Sequence, residues 1–115
     1  MGNGNNEPVT IHITINDDGG FAYSVSTHRM TRKPEGVAAP KFRRVKWSAE
    51  GPFVIDFGDS SPFSLLTVKN QDGCFESDEF VVEASALLRR YRYAVAVFKN
   101  NEVFLDACPE VVVEC

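Results

Sequence analysis

Histidine and cysteine are both scarce in this chain, and their scarcity limits its chemistry. Among 115 residues there are two imidazoles, His12 and His28, and three thiols, Cys74, Cys108 and Cys115. No two cysteines form a CxxC pair, and their number is odd. Free thiols in a reducing compartment are therefore the simpler reading, while a Cys74 to Cys108 bridge is left open by spacing alone. A closed zinc site needs about four Cys, His or carboxylate ligands, and no paired spacing supplies them. No run approaches the roughly eighteen consecutive apolar residues of a membrane-spanning helix, so no membrane role is expected. The start, MGNGNNEP, has neither a basic n-region nor an apolar h-region. Asn6 stands where a myristoylation signal wants Ser or Thr. Residues 1–7 read as a disordered leader, and the expected location is cytoplasmic, with a removed signal peptide as the open alternative.

Catalytic sets are equally thin. A Ser or Cys nucleophile requires a base and an orienting acid. Ser60 and Ser61 follow Asp59, but GDSSP is more economically a turn whose Asp and Ser side chains bond their own backbone. Asp17-Asp18-Gly19-Gly20 reads the same way. Carboxylate pairs such as Asp78-Glu79 have no neighbouring histidine, and His12 falls on the polar face of a strand. The expectation is a protein that is not an enzyme.

What the chain does have is alternation. Its 43% hydrophobic and 24% charged residues place it among chains able to fold, and its length suits one domain, expected over residues 8–115. The period is two far more often than 3.6, which predicts strands. Val9, Ile11, Ile13 and Ile15 share one face, with Thr10, His12 and Thr14 on the other. Asp17 to Gly20 then turns, and Phe21, Tyr23 and Val25 alternate again, predicting a first hairpin. Residues 27–40, with two prolines and a glycine, read as a long connection. Further strands are predicted at FRRVKWSA, FVIDF, FSLLTV and around Glu79 to Glu83. At the end, Tyr91, Tyr93, Val95 and Val97 face one way, Lys99 to Glu102 turns, VFLDA returns, and Val111 to Val113 closes the chain. SDEFVVEASALLRRYR is the one helical candidate, and its β-branched residues allow at most a short helix near 84–88. The prediction is an all-β fold: an antiparallel Greek-key β-sandwich of about 7–9 strands.

Three pieces resemble parts of a cupredoxin-like, plastocyanin-like sandwich. They are the strand Val45-Lys46-Trp47, the turn Ser61-Pro62-Phe63, and the hairpin from Tyr91-Arg92-Tyr93-Ala94-Val95 to Leu105-Asp106. In plastocyanin-like domains the last hairpin reads as aromatic and valine alternation, a turn, then Leu-Asp-Pro and a β-branched strand. Here Ala107 and Cys108 stand before Pro109. An immunoglobulin-like sandwich would offer the same alternation. A type 1 copper centre takes two imidazoles, a thiolate and a weak axial thioether, and the family draws its Cys, second His and Met from the loop between the last two strands. This chain has no histidine after His28, and Met1 and Met30 come too early for the axial position. The resemblance thus implies a copper-free member with no cofactor. The alternative is a metal-binding or redox protein joining Cys108 to His28 or His12.

Charge is unevenly spread. Seven of the twelve basic residues fall between Arg29 and Lys46, where Glu35 is the only acid, while residues 72–83 hold five acids and no base. One reading makes Arg29, Arg32, Lys33, Phe42, Arg44 and Lys46, with Arg90 and Arg92, a binding face for another protein with an acidic surface. The other pairs these cations across the sheet with the acidic segment, and it is preferred. A net charge of −4 weighs against nucleic acid. Phe98 is in phase with Ala94 and Ala96 on a predicted outward face, a second place for a protein contact. The function expected is therefore a non-catalytic module for protein–protein interaction or assembly, with self-association left open.

Overall fold

The computed structural model describes residues 8–25, 36–40, 43–107 and 109–114. The fold is an all-β sandwich, and no helix occurs among the described residues. Its strands are β1 (Val9–Ile15), β2 (Phe21–Val25), β3 (Gly36–Pro40), β4 (Arg44–Ser48), β5 (Phe53–Asp56) and β6 (Thr67–Lys69), followed by β7 (Phe80–Val81), β8 (Arg90–Arg92), β9 (Ala94–Lys99), β10 (Glu102–Asp106) and β11 (Glu110–Glu114). One sheet has the order β2-β1-β4-β7 and a second the order β10-β9-β5-β6, while β3-β11-β8 forms a third ladder. No described helix is long and apolar enough to cross a membrane.

The third ladder is continuous with the second sheet. Tyr93 alone separates β8 from β9, and its N–H donates to the Pro109 carbonyl at 3.0 Å. From Asp106↔Val95 to Glu110↔Arg92 the chain takes four steps on one side and three on the other. That extra residue is a β-bulge, which bends one long hairpin so that its far half pairs with β3.

Period-two alternation decides which side chains enter the core. Val9, Ile11, Ile13 and Ile15 are buried on β1, Val45 and Trp47 on β4, Phe53 and Ile55 on β5, and Tyr91, Tyr93, Val95 and Val97 along β8 and β9. Trp47 sits at the centre. Its indole N–H donates to the Tyr93 hydroxyl at 3.2 Å, and its ring meets Phe63 and Tyr93 edge-on, with centroids 5.8 and 5.7 Å away. Burial pushes the Tyr93 phenol far above its ordinary pKa, so it stays neutral.

Several expectations need correction. Among the described residues eleven strands form where 7–9 were expected, because short pieces of two or three residues pair separately. The connection read over residues 27–40 contains β3. Two pairs, β1 with β4 and β3 with β11, are parallel, as happens when the chain crosses to the other sheet before returning. The strand read at FSLLTV begins only at Thr67: the Ser61 hydroxyl accepts from the Phe63 N–H at 3.0 Å, and this turn sends Phe63 into the core. Near 84–88, where at most a short helix was expected, Ala84 and Ser85 make a single turn closed by Ala86 N–H donating to the Glu83 carbonyl at 3.0 Å. The leader read over residues 1–7 lies outside the described residues.

Two substitutions probe this core. Tyr93→Phe leaves the buried indole N–H without its acceptor and should cost about 1–3 kcal/mol in urea unfolding. A Cβ on Gly51 would be driven into the Phe98 carbonyl, so Gly51→Ala should lower stability by about 1–3 kcal/mol. An unchanged unfolding midpoint for either would contradict the packing described.

Candidate functional site

Sheets that face water normally carry polar side chains on the solvent side. The outer face of β10-β9-β5-β6 departs from this. With Phe53, Ile55, Val95 and Val97 inside, alternation forces Val54, Ala94, Ala96 and Phe98 outward. Register then sets Leu105 beside Ala96, Ala96 beside Val54, and Val54 beside Lys69. In the next row Phe98 lies opposite Val103. Val54, Phe98, Val103 and Leu105 are 43%, 46%, 60% and 75% exposed, and Leu105 is the most exposed large apolar residue among those described. Pro52, Val54, Ala96, Phe98 and Val103, with Lys69 at the rim, line a concavity of about 220 Å³. That is below the roughly 300–1,000 Å³ of small-molecule pockets; it suits one inserted side chain. The Asn70 carboxamide accepts from the Phe53 N–H at 3.0 Å and holds the rim.

The turn below this face is tight. Asn100 and Asn101 have φ of 55° and 64°, and they join β9 to β10 as a two-residue type I′ turn, which asparagine tolerates. This loop offers no imidazole, thiolate or thioether.

The basic residues singled out in the sequence divide between two sheets. On β4, Arg44 Nη1 lies 3.0 Å from Glu79 and Lys46 Nζ 3.1 Å from Glu76. These are the pairs expected between the basic and acidic segments. On β8, Arg90 and Arg92 reach the buried Glu110 at 3.2 and 3.8 Å. Arg29, Arg32, Lys33 and Phe42 lie outside the described residues, as do His28 and Cys108. His12 Nδ1 is 2.6 Å from Ser48 Oγ on the exposed outer face of the first sheet. No group of three His, Cys, Asp or Glu among the described residues is placed to hold a metal ion.

Sequence reasoning marked Ala94, Ala96 and Phe98 on this face but not Val54, Val103 or Leu105. A signal existed in Val103-Phe104-Leu105, where three successive apolar residues must put one phase on each side of a strand. The comparisons add no assignment: no family model matches the chain, and no curated protein matches it.

At the end of the sandwich below the apolar face, Glu50 accepts from the Ile15 N–H at 2.8 Å and pairs with Lys99 at 2.9 Å. The backbone donor, then the Lys99 partner, hold its pKa below the ordinary value. A depressed carboxylate pKa gives stability that is present above the unfolded value, about 4.3, and lost as pH falls through the folded one. Glu50→Gln should therefore flatten the acid limb of a stability–pH curve below about pH 4.3. An acid limb of unchanged slope would show that Glu50 is not held this way.

Proposed function

We propose that this chain is a non-catalytic module that binds another protein through the outer face of β10-β9-β5-β6. The observation that carries the reading is the contiguous apolar surface of Val54, Ala96, Phe98, Val103 and Leu105 around a concavity of about 220 Å³. Contiguous exposed apolar patches rimmed by polar residues mark interaction sites, and a cavity of this size receives an anchoring side chain. The same reading makes the protein a copper-free, cupredoxin-like sandwich with Greek-key connections. Its support is the buried Val45 and Trp47 strand together with a sequence that offers no histidine after His28 for the loop between the last two strands.

Recognition then rests on the apolar face rather than on the basic one, because Arg44, Lys46, Arg90 and Arg92 already have carboxylate partners. The exposed Arg44–Glu79 and Lys46–Glu76 pairs each contribute only about 0–1 kcal/mol.

Affinity capture from the source cells, with each recovered protein purified and its complex reconstituted, tests the reading. Phe98→Lys combined with Val103→Lys should weaken the reconstituted complex at least tenfold. Arg44→Glu combined with Lys46→Glu should leave it within about threefold. Full binding by the Phe98/Val103 variant would overturn the proposal.

A further inference from the structure

Resting on the reading of this face as a docking surface, we infer that the partner inserts an aromatic side chain into its concavity and sets a carboxylate of the same segment on Lys69. Residue size makes the depression. Ala96 contributes a single methyl between Leu105 and Val54, which stand beside it in register, so the outer face dips between two larger side chains. Phe98, Val103 and Pro52 wall the concavity of about 220 Å³. The backbone holds its shape: the Phe98 N–H donates to the Pro52 carbonyl at 2.8 Å, and Gly51 lets the Phe98 carbonyl approach where a Cβ would collide with it. A preformed wall of this kind needs little ordering when a partner arrives.

The lining favours an aromatic anchor. Phe98 is exposed, so its ring is open to the offset or edge-to-face packing that aromatic pairs prefer, and aromatic residues are enriched at interface centres. Charge fixes the rest of the guest. Among the described residues Lys69 is the one charged side chain lining the concavity. It is exposed and makes no ion pair with any of them. Asn70 beside it is already used, accepting from the Phe53 N–H and donating to the Gln71 and Cys74 carbonyls. Asp56, also on the outward phase, accepts from the Gly58 N–H at 2.8 Å and lies in the next row, opposite Thr67 and Ala94. Its sign keeps a guest carboxylate on the Lys69 side.

Register sets the spacing that the guest must have. Leu105, Ala96, Val54 and Lys69 form one row across the strands. Adjacent strands lie about 4.8 Å apart, which puts the Lys69 backbone about 10 Å from that of Ala96, and the lysine stem closes much of that span. The carboxylate therefore falls within one or two residues of the anchor. A second copy offers this poorly: its exposed Phe75 has Glu76 beside it, but that carboxylate is held by Lys46 at 3.1 Å. A heterologous acidic segment with a central aromatic residue fits instead.

The test uses the full chain and three synthetic peptides, Ser-Glu-Trp-Glu-Ser, Ser-Lys-Trp-Lys-Ser and Ser-Glu-Ala-Glu-Ser, titrated by backbone and methyl NMR. The acidic tryptophan peptide should bind about fivefold tighter than the basic one at low salt, with the difference shrinking as salt rises, and it should shift Val54, Ala96 and Phe98. The alanine peptide should bind about tenfold more weakly than its tryptophan counterpart. Lys69→Glu should reverse the preference between the two tryptophan peptides. Ala96→Leu, which fills the depression, should abolish binding of both while near-ultraviolet circular dichroism of Trp47 reports an intact core. Equal binding of the two tryptophan peptides, a preference that Lys69→Glu leaves unchanged, shifts confined to other strands, or a concentration-dependent dimer that Ala96→Leu dissolves would overturn the inference. If no peptide binds while Phe98→Lys with Val103→Lys still weakens a reconstituted complex, the aromatic and acidic guest falls and the docking face stands.

Discussion

The bond from the Trp47 indole to the Tyr93 hydroxyl joins the two sheets at their centre. A buried indole N–H left unmade costs about 1–3 kcal/mol, and Tyr93 is an acceptor in reach that stays neutral under any physiological condition. Once Tyr93 faces inward, strand geometry leaves no choice for its neighbours: Val95 and Val97 follow it into the core, and Ala94, Ala96 and Phe98 point to solvent. The apolar outer face is therefore a consequence of the core's phase together with a sequence that puts apolar residues on both phases of β9 and β10. It cannot be turned inward by a register slip, because a slip of one residue would expel Tyr93, Val95 and Val97 together.

Polar contacts at the margins hold this arrangement in place. Tyr23 on β2 reaches Asp106 on β10, closing the side of the sandwich, and Glu50 ties the end of β1 to the end of β9. Each links one sheet to the other. Glu50 stands between β4 and β5 and Asp106 ends β10, so two separate polar clasps close the sandwich.

Much of the fold was legible because period-two alternation is a direct record of burial. The buried set on β1, the position of Trp47 and the inward phase from Tyr91 to Val97 all follow from it. β3 was hidden because Gly36–Pro40 has no polar and apolar contrast, and its pairing with β11 depends on a partner more than seventy residues away in sequence. Phe63 was misplaced because Pro62 and the Ser61 turn override a locally strand-like run. The pairing of Arg44 with Glu79 and Lys46 with Glu76 was readable as a charge asymmetry between segments, but which cation meets which anion needs the β4–β7 register. On the candidate face, Phe98 was visible by phase alone. Val54 and Leu105 were not, because only register brings them to either side of Ala96.

The two sheets consequently meet water on different terms. Across the outer face of β4, cations and carboxylates pair and stay partly hydrated, so covering them with a partner would trade water contacts for little gain. The outer face of β10-β9-β5-β6 is in the opposite position. Apolar surface removed from water is worth about 25 cal/mol per Å², and its side chains stand on paired strands that need little ordering before they meet a partner. Apolar side chains on strands that are already paired combine burial with little loss of freedom, which makes this face, and not the charged one, the better surface to cover.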